Sequence, residues 1–159
     1  MAKILIVYYT RSGHTEQMAQ SVAEGARSVK GAEVTVKKVA DASPEDMLAA
    51  DAIVMGSPVY YGTMAAELKR LLDDSVTYHR QLRGKVGGAF ASSGAPHGGN
   101  ETTVLDILRA LLVHGMIVQG DPEGDHYGAV AVGAPDDRSK KSCHRMGRTV
   151  AELAARLFD

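Results

Sequence analysis

Between Thr10 and Thr15 the chain reads Thr-Arg-Ser-Gly-His-Thr, a loop dense in hydroxyls with one glycine. The apolar run Ile4 to Val7 precedes it, and a helical pattern begins at once after it. A hydroxyl-rich loop between a buried strand and a helix N-terminus gathers N–H groups and hydroxyls around one point. The helix dipole adds partial positive charge there, which suits a phosphate. The G-x-G-x-x-G spacing of dinucleotide-binding turns is absent, as is the Gly-Lys-Ser/Thr ending of a nucleoside-triphosphate loop. Read alone, the stretch also serves as a tight turn without a ligand.

Two later loops point the same way. Pro58-Val59-Tyr60-Tyr61-Gly62 places adjacent tyrosines between a proline and a glycine, where an aromatic wall can lie against a planar ring. Either tyrosine alone would serve equally well as cover for the core. Ser92-Ser93-Gly94-Ala95-Pro96-His97-Gly98 is rich in glycine and serine, so its backbone can approach a ligand and offer N–H donors. Such donors suit a ring edge where charge develops on reduction. His97 can add a positive or hydrogen-bonding group, although a loop histidine is also commonly just solvated.

The elements that must position these loops alternate strand and helix. Met18, Val22, Ala26 and Val29 recur at helical spacing, predicting a first helix over residues 15–29. Residues 33–39 read as an alternating strand. Ser43-Pro44 starts a short helix with Ser43 as cap. Residues 51–56 form a second buried strand, 64–74 a helix, 85–90 a strand, and 100–113 a helix closed at Gly115. Residues 116–119 and 129–132 read as two pieces of one strand, interrupted by the turn-rich 120–128. Residues 139–158 form the last helix, with Met146, Val150, Leu153 and Leu157 as its apolar face. Five strand–helix alternations without a linker predict one α/β domain over residues 1–159. Its sheet is open, parallel and doubly wound, with helices on both faces. All three loops follow strand C-termini, so they meet on one sheet edge, where ligands of such sheets bind.

Composition narrows the class. Eighteen basic and nineteen acidic residues leave a formal charge of −1, with no electrostatic case for nucleic acid. A single cysteine, Cys143, excludes an internal disulfide and any cysteine cluster for a metal. With no room for a signal peptide before the first strand and no membrane-length apolar stretch, a soluble, cytoplasmic protein is expected. Cys143-His144 reads as a surface pair rather than a metal site. Arg138, Lys140 and Lys141 read as a solvated charge run.

Taken together, Met1-Ala-Lys-Ile-Leu-Ile-Val-Tyr-Tyr, Gly13-His14, Val22-Ala23-Glu24-Gly25-Ala26, Gly31-Ala32-Glu33-Val34, Gly56-Ser57-Pro58, Gly62-Thr63-Met64, Gly98-Gly99-Asn100-Glu101-Thr102 and His114-Gly115-Met116 resemble the WrbA family. These are flavodoxin-like NAD(P)H:quinone oxidoreductases that bind FMN. The resemblance implies a five-stranded sheet in the order 2-1-3-4-5. It places the FMN phosphate on Thr10, Arg11, Ser12, Gly13, His14 and Thr15. The isoalloxazine would lie against Pro58, Val59, Tyr60, Tyr61 and Gly62. Ser92, Ser93, Gly94, Ala95, Pro96, His97 and Gly98 would enclose its other side. Tyr127-Gly128-Ala129 matches a segment where a neighbouring subunit can approach the flavin.

There are departures from the family. The first histidine of the family's pair before Gly-Met is Val113 here, and the aromatic of its phosphate loop is Ser12. An Arg-Phe pair is replaced by Tyr60-Tyr61. No tryptophan exists to cover a substrate pocket, leaving Tyr78 or His79 as stand-ins. The resemblance implies an FMN-dependent oxidoreductase carrying reducing equivalents from NAD(P)H to quinones in a ping-pong cycle. The chemistry would reside on the cofactor, with no catalytic side chain beyond assistance from His97, and no metal. A dimer or tetramer is expected, with the helix faces 64–72 and 105–112 offering contact surface. The alternative is a flavodoxin-type electron carrier between protein partners. Such carriers tend to be strongly acidic, unlike this chain.

Overall fold

A computed structural model describes residues 1–158. In chain order the elements are β1 (Lys3–Tyr8), α1 (His14–Arg27), β2 (Glu33–Lys38), α2 (Pro44–Ala49), β3 (Ala52–Pro58), α3 (Ala66–Asp74), β4 (Val86–Ser93), α4 (Asn100–Val113), β5 (Ile117–Val118), β6 (Val130–Val132) and α5 (Asp137–Phe158). The sheet runs β2-β1-β3-β4-β5, with β6 also paired to β4, and every pairing is parallel. The order is the flavodoxin-like one that the resemblance implies. The fifth position is split, β5 along the start of β4 and β6 along its end.

Successive residues of β1 enter different cores, which is why its sequence is apolar without alternation. Ile4, Ile6 and Tyr8 join a core under α1 and α5; Leu5 and Val7 join one under α2, α3 and α4. α2 begins as expected: Ser43 and Asp46 form a reciprocal capping box, with Pro44 in the first turn.

The last helix differs from its expected face. Its buried stripe is Ser139, Ser142, Cys143, Gly147, Val150, Ala151 and Ala154, while Leu157 is exposed. α1 and α5 approach so closely that small residues fill the centre and larger ones flank it. Cys143 is therefore a core residue, not a surface one, and burial followed by the charge of Asp125 pushes its thiol up to about 12. Arg138 is likewise no free charge. It donates to Asp125 Oδ1 at 2.8 Å and to Val130 O at 2.9 Å. Asp125 also accepts from Ser142 Oγ at 2.8 Å, and Arg145 reaches Asp121 at 2.5 Å. These bonds tie the segment between β5 and β6 to α5.

Tyr78 and His79 do not overlie the loop edge. α3 runs back across the sheet, so both lie beyond its far end, where Tyr78 Oη donates to Glu45 at 3.0 Å and His79 faces His114. The apolar side of α3 is spent in the core, with Leu68, Leu71 and Leu72 buried. Of the two expected contact faces only exposed Leu112, beside Val113, remains.

His114 is buried, and its Nε2 lies 2.7 Å from Ser75 Oγ. Ser75 gives its own proton to Leu72 O at 2.6 Å, so the imidazole donates from Nε2 and its Nδ1 is unpartnered. Burial, then His79, hold the His114 pKa below its ordinary value. As pH falls, the unfolded chain takes up this proton first. The contribution is complete above the unfolded histidine pKa near 6.5 and is lost progressively below it. The melting temperature should therefore decline from pH 7 to pH 5, and His114→Gln should flatten that slope. An unchanged slope in the variant would remove His114 as the cause.

No helix among the described residues is long and apolar enough to cross a membrane. No cluster of His, Cys, Asp or Glu among them could hold a metal.

Candidate functional site

The loops after β1, β3 and β4 converge on one sheet edge. The first is open to an anion in a specific way. Gly13, at φ 89°, leads into α1 and no side chain caps that helix. The amides of His14, Thr15 and Glu16 donate to no protein acceptor. Helix N-termini leave such donors unpaired, and a buried or half-buried one needs a partner. The Gly13 amide is already committed, donating to Thr10 Oγ1 at 3.0 Å. Ser12 is exposed and its hydroxyl makes no intramolecular hydrogen bond.

Thr15, in the first turn of α1, and Ser92, which the structure places with Ser93 at the end of β4 rather than in the third loop, join the first loop to that strand. Their hydroxyls are 2.9 Å apart, with Thr15 only 1% and Ser92 6% exposed. Each hydroxyl carries one proton, and a single bond between them uses one of the two. Neither makes another hydrogen bond, so a buried proton is left over beside the uncapped helix end. The donor set lacks an acceptor, and an anionic oxygen has the chemistry to supply one.

The second loop is tied to both others. Tyr9 N–H donates to Gly56 O at 3.0 Å and Val59 N–H to Ser92 O at 2.8 Å. Tyr60 is half-buried and packs edge-on against Tyr9, ring centroids 6.0 Å apart at 76°. Burial is the main reason its phenol pKa is raised. Tyr61 is fully exposed at φ 47°, so it does not cover the core. Of the two readings of this tyrosine pair, core cover thus partly fits Tyr60 and fails for Tyr61. Ser57 Oγ donates to Pro58 O at 2.7 Å and accepts from Ala65 N–H at 2.8 Å, fixing the exit of the loop.

The third loop is pinned at its ends and open in the middle. Ser93 Oγ donates to Ala95 O at 2.9 Å, and Asn100 Nδ2 donates to Ser93 Oγ at 3.2 Å. The amides of Gly94 and Ala95 have no protein acceptor. His97 is exposed at φ 56°, and Pro96 and Gly98 are exposed beside it. A Cβ at Gly94 would meet nothing within 4 Å, so the protein itself does not require glycine there. A Cβ at Gly99 would come within 3.1 Å of Val59, which shows how closely the second and third loops pack.

Thus the first two loops and the stem of the third form one connected unit. Val113 lies apart from it, at the far end of α4. The sequence marks Tyr9 and Thr63 only as motif residues without a role, and Asp106 not at all; Tyr9 backs Tyr60, and Thr63 is joined to Asp106 at 2.6 Å. Tyr9 stands one residue before the first loop, a local signal, whereas the Thr63–Asp106 contact has none.

The profile of a family described as NADPH-dependent FMN reductase matches residues 42–123. A flavodoxin from Aquifex aeolicus (strain VF5) is 42% identical over 167 residues, covering 100% of this chain and 90% of that one. An NAD(P)H dehydrogenase (quinone) from Archaeoglobus fulgidus is 35% identical over 191 residues, covering 99% and 100%. Among solved structures, the flavodoxin, WrbA-like protein from Agrobacterium tumefaciens superposes with a TM-score of 0.83 at 25% identity, covering 99% of each chain. A flavodoxin from the domain Archaea gives 0.79 at 27% identity, covering 96% of this chain and 99% of that one.

Proposed function

The chain belongs to the WrbA-like, flavodoxin-like family of FMN-binding oxidoreductases, and from that membership we propose that it is an NAD(P)H:quinone oxidoreductase. The observation that carries the cofactor assignment is the unpaired donor set at the start of α1, joined through Thr15 and Ser92 to the end of β4, which leads into the glycine-rich third loop. Thr10 to Thr15 would hold the phosphate, Pro58 to Gly62 one side of the isoalloxazine, and Ser92 to Gly98 the other. FMN, when bound, supplies the two-electron chemistry that links a nicotinamide donor to a quinone acceptor. The protein's part is to bind and orient. The free amides of Gly94 and Ala95 would donate to the ring edge that gains charge, and Tyr60 and Tyr61 would limit access from one side. His97, exposed at the tip of the third loop, would assist at that edge. A homo-oligomer, dimer or tetramer, belongs to the same reading, and light scattering at micromolar concentration reads it.

Purified protein loaded with FMN should oxidise NADH or NADPH in steady state with benzoquinone as acceptor. Full FMN occupancy with no turnover on either nicotinamide would instead favour the electron carrier, a reading supported by the similarity to the Aquifex flavodoxin. The formal charge of −1 gives this chain little field for steering a protein partner.

Gly94 provides a separate check on the third loop. Since open space surrounds its Cβ position, Gly94→Ala should change the stability of the FMN-free protein by under about 0.5 kcal/mol. FMN affinity should nonetheless fall by about tenfold, because the added methyl separates the backbone from the ring. Parent affinity in Gly94→Ala would mean that the flavin does not approach this backbone.

A further inference from the structure

The turn that carries both tyrosines is held in a conformation that its own sequence disfavours. Tyr60 N–H donates to Thr63 O at 2.9 Å, and Thr63 N–H returns to Tyr60 O at 3.2 Å. Between them Tyr61 and Gly62 both have positive φ, 47° and 82°. Two-residue turns of this form favour Asn or Asp before Gly, and an aromatic residue there is sterically crowded. Tyr61 gains no packing in exchange, since its ring is fully exposed. Within the turn, the two hydrogen bonds and Gly62 favour this form while Tyr61 opposes it.

α4 adds a restraint from outside the turn. Thr63 Oγ1 donates to Asp106 Oδ2 at 2.6 Å, a charge-assisted bond across 43 residues of sequence. Thr102, one helical turn earlier on the same face, directs its hydroxyl between Gly62 O at 3.3 Å and Gly99 O at 3.0 Å. The other carboxylate oxygen of Asp106 takes Arg109, so the acceptor is itself held in place. The start of α4 also lies close to the turn: a Cβ at Gly99 would come within 3.1 Å of Val59 and 3.3 Å of Gly62.

We propose that Asp106 and Thr63 are positioning residues that preset the aromatic wall of the flavin site, holding the turn in its positive-φ form before the cofactor arrives. This rests on the reading of the second loop as the isoalloxazine wall. A wall already in its bound shape spares the cofactor the ordering cost of the turn, and that saving becomes affinity.

Three variants test it: Asp106→Ala and Thr63→Val, which remove the bond, and Asp106→Asn, which removes the charge but keeps an acceptor for the Thr63 hydroxyl. Two quantities are read. One is amide hydrogen exchange at Tyr60 and Thr63 in the FMN-free protein; the other is FMN affinity by fluorescence titration. In Asp106→Ala and Thr63→Val, exchange at both amides should accelerate by about tenfold or more, while β3 and the middle of α4 keep their protection. FMN affinity should fall by about tenfold in the same two variants. Asp106→Asn, which keeps an acceptor but loses the charge that strengthens the bond, should fall between the parent and Asp106→Ala in both readouts. Parent exchange rates in the first two variants overturn the proposal. So does an Asp106→Asn variant as impaired as Asp106→Ala, because charge rather than the bond would then be acting. Faster exchange with parent FMN affinity overturns the role in flavin binding. If the parent itself fails to bind FMN, the underlying cofactor reading is what falls, and the exchange rates still decide whether α4 holds the turn.

Discussion

Replacing both Ser12 and Thr15 by alanine is expected to weaken FMN binding by roughly 10²- to 10⁴-fold. Each hydroxyl facing a phosphate dianion contributes about 1.5–3 kcal/mol, and about 1.4 kcal/mol corresponds to a tenfold change in affinity. The two positions act differently. Ser12 is exposed and unbonded, so its loss removes a donor and nothing else. Thr15 is buried against Ser92, so its loss also leaves the Ser92 hydroxyl with no partner in the core. The single Thr15→Ala variant should therefore lower the stability of the FMN-free protein by about 1–3 kcal/mol, while Ser12→Ala leaves it unchanged. Fluorescence titration and thermal melting together separate the two effects. Parent affinity in the double variant would place the phosphate elsewhere.

Gly147→Ala, like Gly25→Ala on the facing helix, should be among the most damaging single methyl additions at the helix positions. A Cβ at Gly147 would lie 1.9 Å from Val22 O, and one at Gly25 would lie 1.9 Å from His144 O. Both obstacles are backbone carbonyls of long helices, so neither can rotate away. The helices must part instead, opening the core they share with β1 and β4. A loss of about 3 kcal/mol or more is expected, a drop in melting temperature of roughly 6–12 °C for a domain of this size. FMN affinity should fall as well, since α1 carries the unpaired amides of His14, Thr15 and Glu16 that are proposed to hold the phosphate. A variant melting within about 2 °C of the parent would show that α1 and α5 can separate at little cost.

These expectations draw unequally on sequence and structure. The apolar runs of β1 and β3 announced strands buried on both faces, because parallel strands have no polar side, whereas residues 85–90 read only as a strand. Ser43-Pro44 announced the start of α2 because capping depends on neighbours in sequence. The split fifth strand was legible for the same reason: turn residues 120–128 interrupt an otherwise apolar pattern. α5 was legible as a helix but not in its orientation. Large residues mark a buried face only where helices stand apart, and here Gly25 and Gly147 bring them together. Cys143, four residues before Gly147 and seven before Val150, lies on the true stripe, so helical periodicity through the small residues would have found it.

Sequence alone determined the three loops, their order, and their place after strand C-termini, because each is a local signal and the alternation of elements dictates the edge they share. It also carried the chemistry of the first loop, since hydroxyls and a helix start are both local. Tertiary structure decided how the loops depend on one another. The Thr15–Ser92 pair spans 77 positions and the Thr63–Asp106 bond 43, and no local pattern encodes either. Tertiary structure alone separates the exposed Tyr61 from the half-buried Tyr60, identical neighbours in sequence. Their difference arises from a turn whose conformation is imposed by a helix elsewhere in the chain. A hydrogen bond between distant residues depends on where the sheet delivers both chains, and that is a property of the packed fold rather than of either segment.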